Sequence, residues 1–126
     1  MKRLFQLLAI AMFLAGVQAV AHHASTTEFD SSKPMTLEGT VTRVDWENPH
    51  VYFYVDVKDQ DGNVVNWSCE TRGPNGLERQ GWKRDSLKIG DKVIVRGSLA
   101  RNGSHMVDGR DVTLADGRKI LSGSAN

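Results

Sequence analysis

After residue 34, apolar and polar residues alternate with a period of two along most of the chain, and the breaks fall at glycine and proline. Residues 35–46 (MTLEGTVTRVDW) place Met35, Leu37, Gly39 and Val41 on one face and Thr36, Glu38, Thr40 and Thr42 on the other. Val44 and Trp46 then fall on the opposite parity. A one-residue phase change inside a long strand is what a β-bulge or a coiled, bent strand produces. Asn48-Pro49 ends the run. Residues 51–57 (VYFYVDV) predict a second strand, with Val51, Phe53, Val55 and Val57 facing one way and Tyr52, Tyr54 and Asp56 the other. Asp61-Gly62, flanked by strand-like runs, predicts a hairpin whose return strand is residues 64–70 (VVNWSCE). Gly73-Pro74-Asn75-Gly76 punctuates the chain, and residues 77–82 have room only for a short helix. A tight turn at residues 87–93 feeds a strand over 93–99, and Asn102-Gly103 turns into a last main strand over 106–114. Asp116-Gly117 leads to a short hairpin arm at 118–121.

This order predicts an all-β fold: five principal strands, a long bent first one, and one short helix between the third and fourth. It matches a small five-stranded barrel of the oligonucleotide/oligosaccharide-binding type, the OB-fold. Gly39 at the midpoint of the first strand fits a bend that lets a barrel close. A lipocalin-like or sandwich arrangement is the alternative, and the strands are too few for either without a partner. Residues 22–34 are polar and lack periodicity, which suits an N-terminal arm or lead-in strand before a barrel domain at 35–121. Residues 122–126 are small and polar and are expected to form a flexible tail.

The start of the chain carries an address. Met1-Lys2-Arg3 is positive, residues 4–17 are largely apolar, and Ala19-Val20-Ala21 offers the small-x-small pattern read by signal peptidase. The apolar stretch is shorter than the roughly 20 residues a bilayer span needs. The expectation is a signal peptide over 1–21, cut after Ala21, and a soluble periplasmic protein without a stable membrane anchor. A cut after Ala19 is the alternative. No cysteine follows the small residues, so no lipid attachment is expected.

Charge narrows the partners. The leader takes two of the 16 basic residues, leaving 14 against 15 acidic ones. That balance lacks the basic patch expected of a nucleic-acid binder, and it offers no attraction to an anionic membrane surface. The chain has one cysteine, Cys69, which excludes an intramolecular disulfide. Stability must then come from a hydrophobic core or a partner. Cys69 alternates with Trp67 and Val65, which places it inside as an inert core residue, with a reactive thiol as the alternative.

Several segments occur together in a suggestive order: His22-His23, Phe29-Asp30, Leu37-Glu38-Gly39-Thr40-Val41 and Trp46-Glu47-Asn48-Pro49-His50. Trp67, Glu70, Gly81-Trp82, Leu87-Lys88-Ile89-Gly90-Asp91 and Leu114-Ala115-Asp116-Gly117 follow. The set resembles a family of small secreted Gram-negative bacterial proteins of unknown function, over essentially the whole mature chain. The resemblance implies a periplasmic setting and a compact β-barrel. It supplies no reaction, substrate or catalytic residue.

Candidate chemistry is sparse. An N-terminal His22 would offer its free amine and ring Nδ1 as a chelate suited to Cu(II), completed by His50 or His23. Cleavage after Ala19 would instead put His22 at position three, another Cu(II)- or Ni(II)-binding arrangement. Adventitious binding by a histidine-rich start is the plainer account. Trp46, Asn48 and His50 sit at the first strand-to-strand junction, beside the usual ligand face of an OB barrel, where they either contact a ligand or form a rigid corner around Pro49. Glu70 and Arg72, with Arg79 and Arg84 nearby, form either an anion site or a solvated ion-pair cluster. Tyr52, Tyr54 and Trp67 form a stacking platform only if nucleic acid is the partner; barrel packing is the simpler account. No nucleophile–base pair and no closed metal motif is present. The expectation is a non-enzymatic binding module for a small ligand or an envelope protein, and the alternative is a periplasmic Cu(II)-binding protein.

Overall fold

The computed structural model describes residues 28–121. The expected signal peptide, His22, His23 and the tail at 122–126 lie outside the described residues. Six strands run in the order β1 (Phe29–Asp45), β2 (Tyr52–Lys58), β3 (Val64–Glu70), β4 (Lys92–Ala100), β5 (Met106–Leu114) and β6 (Lys119–Leu121). A six-residue helix, α1 (Pro74–Arg79), lies between β3 and β4. This is the expected all-β barrel with a short helix between the third and fourth strands, with the hairpin arm forming a small sixth strand.

β1 serves two partners. From Phe29 to Thr40 it pairs antiparallel with β4, and from Gly39 to Asp45 it pairs antiparallel with β2. The change of partner falls at Gly39 and Thr40, which pair with both neighbours. A Cβ on Gly39 would strike the Asp56 carbonyl oxygen and come within 2.8 Å of Val55 Cγ1. Glycine is needed here because two backbones approach closely. Just beyond, Val41 faces Val55 and Arg43 faces Tyr54, so Thr42 is the extra residue of a bulge. The phase change read from the sequence is this bulge, and it turns Val44 and Trp46 back against the core.

The strand also starts earlier than its alternation suggests. Phe29 and Asp30 pair with Ala100 and Leu99, the register then slips, and pairing resumes at Pro34 opposite Ser98. Asp30 Oδ1 accepts hydrogen bonds from the Ser32 amide (3.1 Å) and hydroxyl (2.6 Å), which holds the slipped segment. Of the two readings of this polar stretch, the lead-in strand holds for residues 29–34, which form the start of β1. Their periodicity is invisible because the irregularity scrambles it.

The remaining pairings, β2–β3, β4–β5 and β5–β6, are antiparallel. The ring closes where β3 pairs parallel with β5, Ser68, Cys69 and Glu70 opposite Met106, Val107 and Asp108. Inside are Leu37, Val41, Val51, Phe53, Val55, Cys69, Val93, Val95, Val107, Val112 and Leu114. α1 starts at Gly73 with Pro74 at its first position, where the missing amide costs nothing. Its buried Leu77, with Trp82 and Leu87, joins this core. Trp82 Nε1 donates to the Ile120 carbonyl, tying that plug to β6. Cys69 is fully buried, and burial pushes its thiol up to about 12, so it is an inert core residue.

Two substitutions test this reading by chemical denaturation. Phe53→Ala removes a fully buried ring and should cost about 3–5 kcal/mol. Gly39→Ala should cost about 3 kcal/mol from overpacking against backbone. Gly62→Ala, with φ +83 but open space around it, should cost only about 1 kcal/mol. Equal losses at Gly39 and Gly62 would refute the close-approach account.

Candidate functional site

The second and third strands share a register set by their hairpin. Asp59 Oδ1 accepts the Asp61 and Asn63 amides, both at 2.9 Å, and Asp59 N–H donates to the Asn63 carbonyl at 2.8 Å. Counting outward from that turn puts Tyr52 opposite Glu70. The pairing continues past the strand ends: Val51 N–H donates to the Arg72 carbonyl (2.8 Å), and the Thr71 amide (3.0 Å) and hydroxyl (2.8 Å) both donate to the Val51 carbonyl. These bonds hold the cis Asn48–Pro49 loop against Gly73, where a Cβ would come within 2.6 Å of the Pro49 carbonyl oxygen.

The corner so formed brings together His50 and Glu70, both singled out in the sequence, Tyr52, weighed there only as part of a stacking platform, and Glu28, which was not read as a site. His50 Nδ1 lies 2.7 Å from Glu70 Oε1. Glu70 is only 7% exposed, and its other oxygen, Oε2, is buried with no hydrogen-bond partner among the described residues. Tyr52 stands opposite Glu70 across the ladder, and Glu28, just before β1, stands close enough for its charge to act on both. The Glu28 carbonyl accepts the Arg101 amide at 2.8 Å, which fixes the start of β1 here.

Burial, and then the charge of Glu28, raise the Glu70 carboxyl above the ordinary carboxylate range; the Tyr52 hydroxyl and the His50 charge pull the other way. Burial first, and the Glu70 charge second, push the Tyr52 hydroxyl up to about 12, so it stays protonated. A raised, buried carboxyl beside a second carboxylate marks this corner as a candidate site.

The other nominated residues lie elsewhere. Trp46 is half-buried against the core, and Asn48 is exposed beside Gly73. The Arg72 stem lies along α1, 3.2 Å from where a Cβ on Gly76 would be, while Glu70 Oε1 is partnered by His50 Nδ1. Trp67 faces inward and tilts against His105, ring centroids 4.9 Å apart. The Tyr54 ring is covered by the Arg43 guanidinium, 4.0 Å from its centroid, and Arg43 is paired to Asp45 at 2.7 Å. At the hairpin end, an open groove of about 600 Å³ is lined by Glu38, Gly39, Thr40, Asp56, Lys58, Val64 and Lys92, with charges of both signs. Among the described residues, no three His, Cys, Asp or Glu side chains converge as a metal site, and no helix is long and apolar enough to cross a membrane.

The sequence of residues 11–108 matches the model of a family of unknown function, DUF6152. The chain belongs to that family. No curated protein matches it. Among solved structures it is similar to the mitochondrial single-stranded DNA binding protein Rim1 of S. cerevisiae, at 12% identity and a TM-score of 0.51, covering 76% of this chain and 99% of that one. It is also similar to a ZRD-deleted mutant of TiaS in complex with agmatine, at 21% identity and a TM-score of 0.50, covering 77% of this chain but 24% of that one. The likeness to Rim1 shows the OB-type fold of this DUF6152 protein, and neither likeness says anything about its ligand.

The raised Glu70 carboxyl gives a signed pH prediction. With its folded pKa above the unfolded one, the native state binds more protons in the window between them, and stability falls as pH rises through it. Glu70→Gln removes this term. Denaturation midpoints compared from about pH 4 to about pH 8 should show the variant gaining on the native chain as pH rises. Parallel curves would mean that Glu70 is not held above its ordinary range.

Proposed function

We propose that this DUF6152 protein works after export as a non-catalytic binding module whose ligand engages the corner of His50, Tyr52 and Glu70. The observation that carries the reading is the buried Glu70 oxygen without a partner, set at the end of a barrel whose fold is built for binding. Export rests on the N-terminal sequence pattern. Nucleic acid is a poor fit to this surface: the face bearing Tyr52 and Tyr54 also carries Asp45, Asp56 and Glu70, and Arg43 there is already paired.

A screen of small polar fragments against the full chain, followed by amide chemical shifts, tests this directly. Hits should gather at His50, Tyr52 and Glu70, and single-stranded DNA should leave those signals unmoved at physiological salt. Hits confined to the groove around Glu38 and Lys92 would overturn the assignment. Hydrolase or redox turnover abolished by a single substitution would overturn the non-catalytic part.

A second reading, Cu(II) binding, is favoured by one feature. With Nδ1 held by Glu70, His50 presents Nε2 on a half-exposed ring, the way metal-bound histidines are oriented by a carboxylate behind them. The freed amine and ring of His22, with His23, would supply the remaining ligands. A built site should lose at least tenfold in Cu(II) affinity on His22→Ala, His23→Ala or His50→Ala, measured on chain with its authentic cut terminus. Affinity indifferent to His50 and His23 would reduce the site to an adventitious tail.

A further inference from the structure

The Glu70 corner has a chemical polarity that goes further than a generic site. Its acceptors outnumber its donors. Two carboxylates, Glu28 and Glu70, meet there with the Tyr52 hydroxyl, and the one imidazole donor, His50 Nδ1, is already spent on Glu70 Oε1. Glu70 Oε2 remains more than nine-tenths buried and without a hydrogen bond among the described residues. A buried carboxylate oxygen must find a donor or share a proton. The Tyr52 hydroxyl has one proton to give and a proton between Glu28 and Glu70 would serve only one of the two carboxyls, so a donor carrying positive charge is the partner that complements both.

We propose that the Glu28–Tyr52–Glu70 corner, backed by His50, binds the primary ammonium group of an organic ligand. This rests on the binding-module reading above and names the ligand chemistry. An ammonium is a compact charge with three donors, enough for Glu70 Oε2, a Glu28 oxygen and the Tyr52 oxygen together. A guanidinium fits less well. Its fork is matched to both oxygens of one carboxylate, and on Glu70 one of them is taken by His50. A bare metal ion fits less well too, because no three suitable side chains converge among the described residues. Glu28 is exposed and Glu70 buried, so the ammonium would approach from the Glu28 side with its organic part toward solvent.

The test is titration of the full chain with n-butylammonium, followed by amide shifts, with n-butanol, n-butylguanidinium and Zn(II) as parallel arms. The expected result is saturable shifts at Glu28, His50, Tyr52 and Glu70 with the ammonium and none with the alcohol. Glu70→Gln and Glu28→Gln should each weaken binding at least tenfold, and Glu38→Gln in the distant groove should not. Glu28 is exposed, so its variant keeps the fold even if the Glu70 variant does not. Equal binding of the alcohol, a preference for the guanidinium, saturation by Zn(II) alone, or affinity untouched by both glutamate variants would overturn the proposal. Uncharged fragments at the corner with no ammonium binding would sink the ammonium assignment and leave the module reading standing. No probe of any kind at the corner would sink both.

Discussion

β1 carries more of this fold than any other element, because it donates and accepts hydrogen bonds on both sides in succession: toward β4 along its first part and toward β2 along its second. A flat strand of 17 residues could not do this and still curl into a ring. The chain solves the geometry with glycine where the partner changes and a bulge directly after it. The bulge has a second effect. By inserting Thr42 it restores Val44 to the core face and leaves Arg43 and Asp45 on the outer face, opposite Tyr54 and Tyr52. The ring closure through β3 and β5, and the plug of Leu77 and Trp82, depend on that curvature being present.

The parts of the fold legible in the sequence are those where one residue type has one structural meaning. Asp61-Gly62, Asn102-Gly103 and Asp116-Gly117 all mark turns, with positive φ at each glycine. The Val51–Val57 alternation and the phase change at Thr42 were equally readable. Residues 29–34 were not, since Ser31-Ser32-Lys33 form a polar irregularity held by Asp30, and no period survives it. The plug was half-readable: Leu77 alone makes a weak helical stripe, and the weight of Trp82 comes from its reach to β6, a contact distant in sequence.

The site divides in the same way. His50 and Glu70 could be nominated from residue type and position, and the hairpin register alone would have set Tyr52 opposite Glu70. Glu28 could not be found. It comes to the corner only because Phe29 pairs with Ala100 at the far end of β4, which the polar lead-in hides. Arg72 looked like a natural partner for Glu70 by spacing. The strand ends between them, however, and the Arg72 stem turns along α1 instead.

The outer face of the barrel explains why the corner, rather than the broad sheet surface, is the place to look for a ligand. On that surface the polar groups have already satisfied one another. Asn66 Nδ2 donates to Asp56 at 2.8 Å and to Thr42 Oγ1 at 3.1 Å, the Thr42 hydroxyl donates to the Tyr54 carbonyl at 3.3 Å, and Arg43 covers the Tyr54 ring. A ligand stacking there would have to displace a cation–π contact and an ion pair for no new charge complementarity. Glu70 Oε2 is the buried side-chain atom left unpartnered among the described residues. Leaving such an atom unmatched costs about 1–3 kcal/mol or more for a charged group. A ligand that supplies its donor recovers that cost on binding, while one that lands on the tyrosine face recovers nothing.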